Sequence, residues 1–238
     1  MAARFESWKN LTFLNKCLFV LTFVATLSLI LGFGTPFWLT VSVPEDFATK
    51  NYNNPSELMI DLIETNHYLG LWQWCFGGNG CIDLGLIAKF GSEKKYQYQW
   101  EKDWYEKVKK IIDYWIATRV LASLGFVSAV FVTILLLLFI CRGKGTSLCQ
   151  GLTVIGCFVT GGFLVISVAV FGSGIYNNSD MFSLHRFDII HHLGFSFGMT
   201  CIAAILYTVI GTVLTFILCT GGYDRGGRHR KAATNEDA

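Results

Sequence analysis

The chain has 238 residues, 53% of them hydrophobic and only 15% charged, with a net charge of +2. A soluble domain carries charge on about a quarter of its residues, so the composition excludes an ordinary water-soluble protein. The near-neutral balance points to no charged partner and gives no basis for nucleic-acid binding.

Residues 1–16 form a short tail with Arg4, Lys9 and Lys16. Residues 17–38 hold no ionisable side chain other than Cys17 and predict a first membrane span. A hydrocarbon core of ~30 Å takes about 20 helical residues, and a helix there satisfies its own backbone. The run exceeds the about 7–15 apolar residues of a signal peptide. It also ends in Gly34-Thr35-Pro36-Phe37-Trp38 rather than at a small-residue cleavage site, so a retained anchor is expected.

Residues 39–110 form a long loop with structure of its own. Leu39-Thr40-Val41-Ser42-Val43 alternates and is β-branched, which predicts a strand. Asn54 and Pro55 predict the start of a short helix with Leu58, Met59, Leu62 and Ile63 on its apolar face. Leu69 to Phe76 reads as a second strand, and Gly77-Gly78-Asn79-Gly80 as a hairpin turn whose residues tolerate positive φ. Tyr96, Tyr98 and Trp100 alternate as in a strand. From Trp104 the period becomes helical, with Val108, Ile111, Ile112 and Trp115 on one face. Asp103 with Lys107, and Glu106 with Lys110, form favourable pairs on the other. The second span, 111–141, therefore begins as a helix rising above the membrane.

Residues 142–150 make a tight loop with Arg142 and Lys144 and no acid. The third span covers 151–171, a second loop 172–190 and the fourth span 191–219. The tail, 220–238, carries Arg225, Arg228, Arg230 and Lys231 and reads as disordered. Short basic segments stay in the cytoplasm, so both termini are expected inside and the long loop outside, in a multi-pass protein of the plasma membrane.

Of the eight cysteines only Cys75 and Cys81 fall in the outer loop, where they flank the Gly-rich turn. The extracellular side is oxidising, so a disulfide is expected. The competing readings are two free thiols or two metal ligands; no further Cys and one His, His67, accompany them in the loop. Cys17, Cys157 and Cys201 read as packing residues. Cys141, Cys149 and Cys219 stand at cytoplasmic span ends and are candidate palmitoylation sites. Six of the seven tryptophans lie in the long loop or at its membrane junctions. Trp38 and Trp115 read as an interfacial belt, whereas Trp72 stands in Gly70-Leu71-Trp72 directly before the cysteine hairpin. Asn177-Asn178-Ser179 is an acceptor pattern for N-glycosylation. His191 and His192 do not share a helix face and read as interfacial rather than as a metal pair. Arg119, just inside the second span, is costly unless paired; loop backbone or Asp113 is its expected partner. No nucleophile–base set, phosphate loop or metal spacing is present, so neither an enzyme nor a bound cofactor is expected.

Trp38, Gly70-Leu71-Trp72, Cys75 and Cys81, in that order between the first two spans, resemble the signature of the claudin superfamily. That superfamily also holds peripheral myelin protein, epithelial membrane proteins and lens fibre membrane intrinsic protein. Tyr114 to Arg119 looks like the start of the second span in the lens and epithelial members, and Arg119 matches an arginine common there. The resemblance covers the whole four-span plan. It implies an all-α membrane fold: a left-handed four-helix bundle carrying a small extracellular antiparallel β-sheet, which the Gly-Leu-Trp tryptophan packs onto the bundle. The chain departs from most claudins in a longer gap between Trp38 and Gly70 and in ending Glu236-Asp237-Ala238, without the aromatic–valine ending offered to PDZ scaffolds. Gly194 and Gly198 are spaced for close helix contact.

The function this resemblance implies is a structural protein of cell–cell junctions. It would act in membrane lipid by cis and trans association of its outer loops, with copies or with other claudin-like proteins. The alternatives are an auxiliary subunit of an ion channel, since calcium-channel gamma subunits share the plan, and a paracellular ion pore.

Overall fold

The computed structural model describes residues 13–42, 67–76, 80–83, 99–142, 147–176 and 190–220. Four helices dominate: α1 (Phe13–Gly34), α2 (Gln99–Arg142), α3 (Ser147–Val170) and α4 (Phe195–Cys219). Each contains a stretch long and apolar enough to cross a membrane. Their outer faces carry large apolar side chains such as Phe23, Val127, Ile205 and Phe216, all well exposed. A continuous apolar surface of this kind is untenable in water, and the chain is a multi-pass membrane protein. At about 1.5 Å per residue the 44 residues of α2 span about 66 Å. That is twice a hydrocarbon core of ~30 Å, and the stretch apolar enough to cross one is Lys109–Leu138.

Among the described residues, five short strands form one antiparallel sheet: β1 (Leu39–Ser42), β2 (His67–Leu69), β3 (Gln73–Phe76), β4 (Gly80–Asp83) and β5 (Ile190–Leu193), in the order β4-β3-β2-β1-β5. The sheet sits at the end of the bundle where α1 stops and α4 starts. Leu39 pairs with both Leu69 and Leu193, and Cys75 pairs with Cys81.

Several boundaries differ from the sequence reading, each for a physical reason. The first helix ends at Gly34, not Trp38. The residue before a proline is pushed out of the helical region, which stops the helix ahead of Pro36. Leu69 to Phe76 is not one strand but two: Gly70 donates its N–H to the Gln73 carbonyl at 2.9 Å, closing a tight turn over Leu71 and Trp72. Trp100 is helical rather than in a strand, because α2 begins at Gln99. The third helix continues as a π-helical segment, Phe171–Tyr176. Residues 190–193 are a strand rather than the start of the fourth span, so the second loop contributes to the sheet. The expected helix at Asn54–Ile63, the apex Gly77–Asn79, and Tyr96 and Tyr98 lie outside the described residues, as do Val43 and the side chains of the Asp103–Lys107 pair and of Glu106.

Inside the membrane, glycines bring helices together, though not the pair that spacing suggested. A Cβ on Gly32 of α1 would collide with Thr200 of α4. One on Gly161 of α3 would meet Thr208 of α4 at 2.6 Å. Gly198 has nothing within 4 Å of such an atom, and Gly194 abuts the Phe37 carbonyl, not a neighbouring helix. Spacing alone marks a helix face without saying whether that face meets protein or lipid. Hydroxyls complete the packing. Thr160 donates to Ser128 across α3 and α2 at 2.8 Å, and Ser167 donates to the Thr118 carbonyl at 3.2 Å.

Candidate functional site

The residues singled out in the sequence converge where the sheet meets the bundle. The last four carbonyls of any helix lack helical donors, and in α1 that shortage falls at the end of the apolar span. Thr35 meets Leu31 with both its N–H and its hydroxyl, at 3.2 and 2.6 Å. The carbonyl of Gly32 would look to residue 36, but Pro36 has no N–H. The indole of Trp38 supplies the missing donor at 2.7 Å. The next carbonyl, Phe33, accepts from the Trp72 indole at 3.0 Å. Two tryptophans of the motif thus cap the same helix end.

A third completes the arrangement from the other side. Trp115 of α2 donates its indole N–H to the Leu71 carbonyl at 3.1 Å. One turn on, Arg119 sets its guanidinium 4.6 Å from the centre of the Trp72 ring. A cation at that distance over an indole contributes roughly 0.5–2 kcal/mol. The Gly-Leu-Trp turn is therefore wedged between α1 and α2: Trp72 reaches the Phe33 carbonyl on one side, and Trp115 and Arg119 hold the turn from the other. Arg119 does not meet Asp113, the acid expected for it. Six residues along a helix turn through about 600°, which leaves the two on different faces.

Each letter of the motif has a structural reason. A Cβ on Gly70 would lie 2.5 Å from the Cα of Pro36, so only glycine lets the turn press against the proline. Leu71 is fully buried, in a cluster with Trp38, Leu39, Leu69, Ile111, Trp115 and Phe171. Trp72 stands edge-on to Phe33 at 5.1 Å. Trp38 and Trp115, read from sequence as an interfacial belt, are instead core residues at 0% and 6% exposure. Trp38 sits edge-on to Phe171 at 5.0 Å and to Phe197 at 5.9 Å. The missed signal was local: Trp38 is the first donor-bearing aromatic ring after a proline that strips a helix end of a donor.

The same junction caps α4. Gly194 donates to the Trp38 carbonyl and Ser196 to the Phe37 carbonyl, both at 2.9 Å. The Ser196 hydroxyl, fully buried, accepts from the Phe37 N–H at 3.0 Å and meets the Thr35 hydroxyl at 2.5 Å. Residues 35–38 therefore bind the end of α1 to the start of α4.

Cys75 and Cys81 form a disulfide across β3 and β4, their Cα atoms 4.0 Å apart. Closing so small a loop contributes about 2 kcal/mol in the chain-entropy picture. His191 and His192 take successive positions on β5 opposite Val41 and Thr40, and His192 is exposed. Cys149 is partly exposed and Cys219 exposed, at the bundle end away from the sheet. Asn177 and the Cys141 side chain lie outside the described residues.

No curated protein matches the chain closely enough to serve as a relative. The sequence profile described as PMP-22/EMP/MP20/Claudin tight junction matches residues 23–216. That match reaches into all four spans and takes in the Trp38 and Gly-Leu-Trp junction and the disulfide hairpin, and the chain belongs to the PMP-22/EMP/MP20/claudin family.

Proposed function

We propose that this protein is a structural component of cell–cell contacts, acting through its outer sheet on copies of itself or on related chains, in the same membrane and in the facing one. One observation carries the reading. Strand β5, from the segment before α4, belongs to the same sheet as the disulfide hairpin, so the two loops offer one surface rather than two. Among the described strands, β4 and β5 are outermost, and outermost strands are edges of the kind that template pairing with another chain. The capped ends of α1 and α4 and the α2 clasp hold that surface at a fixed height, with Trp72 as the anchor of the hairpin.

In this reading the sheet faces outside the cell, where an oxidising milieu suits the Cys75–Cys81 bond. Both termini lie in the cytoplasm, supported by Lys16, Arg142, Lys144 and the basic tail. The protein concentrates in the plasma membrane where cells touch, and the reading assigns it no catalysis.

The test is expression in non-adherent cells, scoring aggregation and enrichment at contacts. Expressing cells are expected to cluster and to concentrate the protein at their borders. Dispersed cells with uniformly distributed protein would reject the reading. Co-purification with a large channel instead would make it an auxiliary subunit.

A further inference from the structure

Helices α1 and α2 meet differently along their length. Toward the sheet the rings of Phe33 and Phe126 stack at 4.8 Å and close the seam. Midway, the hydroxyls of Thr26 on α1, Thr133 on α2 and Tyr207 on α4 meet at 3.1–3.4 Å. Beyond them, toward the chain termini, the two helices leave a groove of about 210 Å³. It is lined on α1 by Phe19, Phe23 and Thr26 and on α2 by Thr133, Leu136 and Leu137.

Depth, chemistry and charge identify the occupant. From Lys16 to Thr26 is about 15 Å of helix, half of a ~30 Å hydrocarbon core. The groove therefore occupies one leaflet, on the side of both termini. Its threonines are turned to their own helices: Thr22 donates to the Leu18 carbonyl, Thr26 to Thr22 and Thr133 to Ala129. The walls thus offer only hydrocarbon, and an apolar cavity of about 150 Å³ stays dry and accepts a small hydrocarbon. At this end of the bundle the sequence places two cations, Lys16 in the first turn of α1 and Arg142 as the last residue of α2.

We propose that this groove seats an acyl chain of an anionic phospholipid, whose phosphate lies at the end where α1 begins and α2 finishes. The inference is independent of any role in cell contacts.

The full chain is placed in nanodiscs with phosphatidylserine or phosphatidylcholine bearing a photoreactive diazirine on the acyl chain, and crosslinked peptides are mapped. Adducts are expected to concentrate on the stretches 19–26 and 133–137, above the level at the lipid-facing Val127, Ile205 and Phe216. One lysine near an anionic surface corresponds to about fivefold in affinity. Lys16→Gln should therefore lower phosphatidylserine labelling about fivefold and leave phosphatidylcholine labelling unchanged. Leu137→Trp, which fills the groove, should lower both at an unchanged melting temperature. Even labelling over all exposed faces would reduce the site to ordinary boundary lipid and overturn the proposal. So would phosphatidylserine labelling insensitive to Lys16→Gln, or labelling of these stretches below the level at Val127, Ile205 and Phe216, as a second protein chain seated in the groove would give.

Discussion

Replacing Trp38 by Phe and by Ala separates the two things this side chain does. Its indole N–H serves the Gly32 carbonyl that Pro36 cannot, and its ring fills a fully enclosed space against Phe171 and Phe197. Phe keeps most of the ring and removes the donor. A buried acceptor left without a partner costs about 1–3 kcal/mol. Ala removes the ring as well, and truncating a buried aromatic costs about 3–5 kcal/mol. For a chain of this size each kcal/mol shifts a melting temperature by about 2–4 °C. Trp38→Phe should therefore melt about 2–12 °C below the parent, and Trp38→Ala lower still.

Melting in detergent, followed by intrinsic fluorescence, reads both effects, and surface biotinylation shows whether they matter in cells. Trp115→Phe is the companion variant, since it orphans the Leu71 carbonyl in the same way. If Trp38→Phe melts within about a degree of the parent, the donor is worth nothing and the capping argument fails. If Trp38→Ala matches Trp38→Phe, the ring contacts contribute nothing and the buried cluster does not hold the junction.

Gly70→Ala forces a Cβ onto the Pro36 backbone and should cost about 1–3 kcal/mol as overpacking. Gly198→Ala meets nothing and should leave melting unchanged or raise it, since alanine favours a helix by about 1 kcal/mol over glycine; a loss there equal to that of Gly70→Ala would contradict both readings. Cys75→Ser removes the staple on the β3–β4 hairpin and should cost about 2 kcal/mol, seen as a lower melting point and reduced surface delivery; an unchanged surface level would show that the hairpin needs no staple. Tyr207→Phe deletes the hydroxyl that joins α1, α2 and α4 and should cost only about 0.6 kcal/mol, so a shift of many degrees would point to a larger role for the triad. Epitope tags at either end should stain only after permeabilisation, and staining of intact cells would invert the proposed topology.

The four spans were legible because a charge-free apolar run of about 20 residues fits little besides a membrane helix. The disulfide was legible because two cysteines flank a glycine-rich turn. What could not be read was how many strands the loops make. Leu69 to Phe76 looks continuous until one sees that Gly70 must pass within touching distance of Pro36, a contact some thirty residues away in sequence. Strand β5 was hidden because Ile190 to Leu193 is apolar enough to read as the top of the following span, and only its pairing with β1 makes it a strand. The burial of Trp38 and Trp115 was missed for a related reason. A tryptophan at a membrane boundary suits an interfacial belt; for Trp38 the one local sign against that is Pro36, which leaves a carbonyl of α1 without its backbone donor, and for Trp115 the acceptor lies 44 residues away in the turn at Leu71.

The attachment of the sheet divides unequally between the partners it joins. On α1 the acceptors are the backbone carbonyls of Gly32 and Phe33, which every residue type possesses. The donors to them are two indoles, Trp38 and Trp72, and a third, Trp115 of α2, serves the Leu71 carbonyl of the turn; only tryptophan provides this group. Residues in the last turn of α1 are thus constrained by size and packing. Gly32 has no room for a side chain against Thr200, and Phe33 stacks on Phe126 and faces Trp72, while Gly34 has open space around it. The tryptophans are constrained by chemistry, because each brings an N–H to a backbone carbonyl that a purely hydrocarbon ring would leave unserved. A proline that ends the first span, a tryptophan two residues later, and a second tryptophan after Gly-Leu are therefore one device. The proline creates the unsatisfied helix end at the membrane boundary, and the two rings that satisfy it fix the outer sheet onto the bundle.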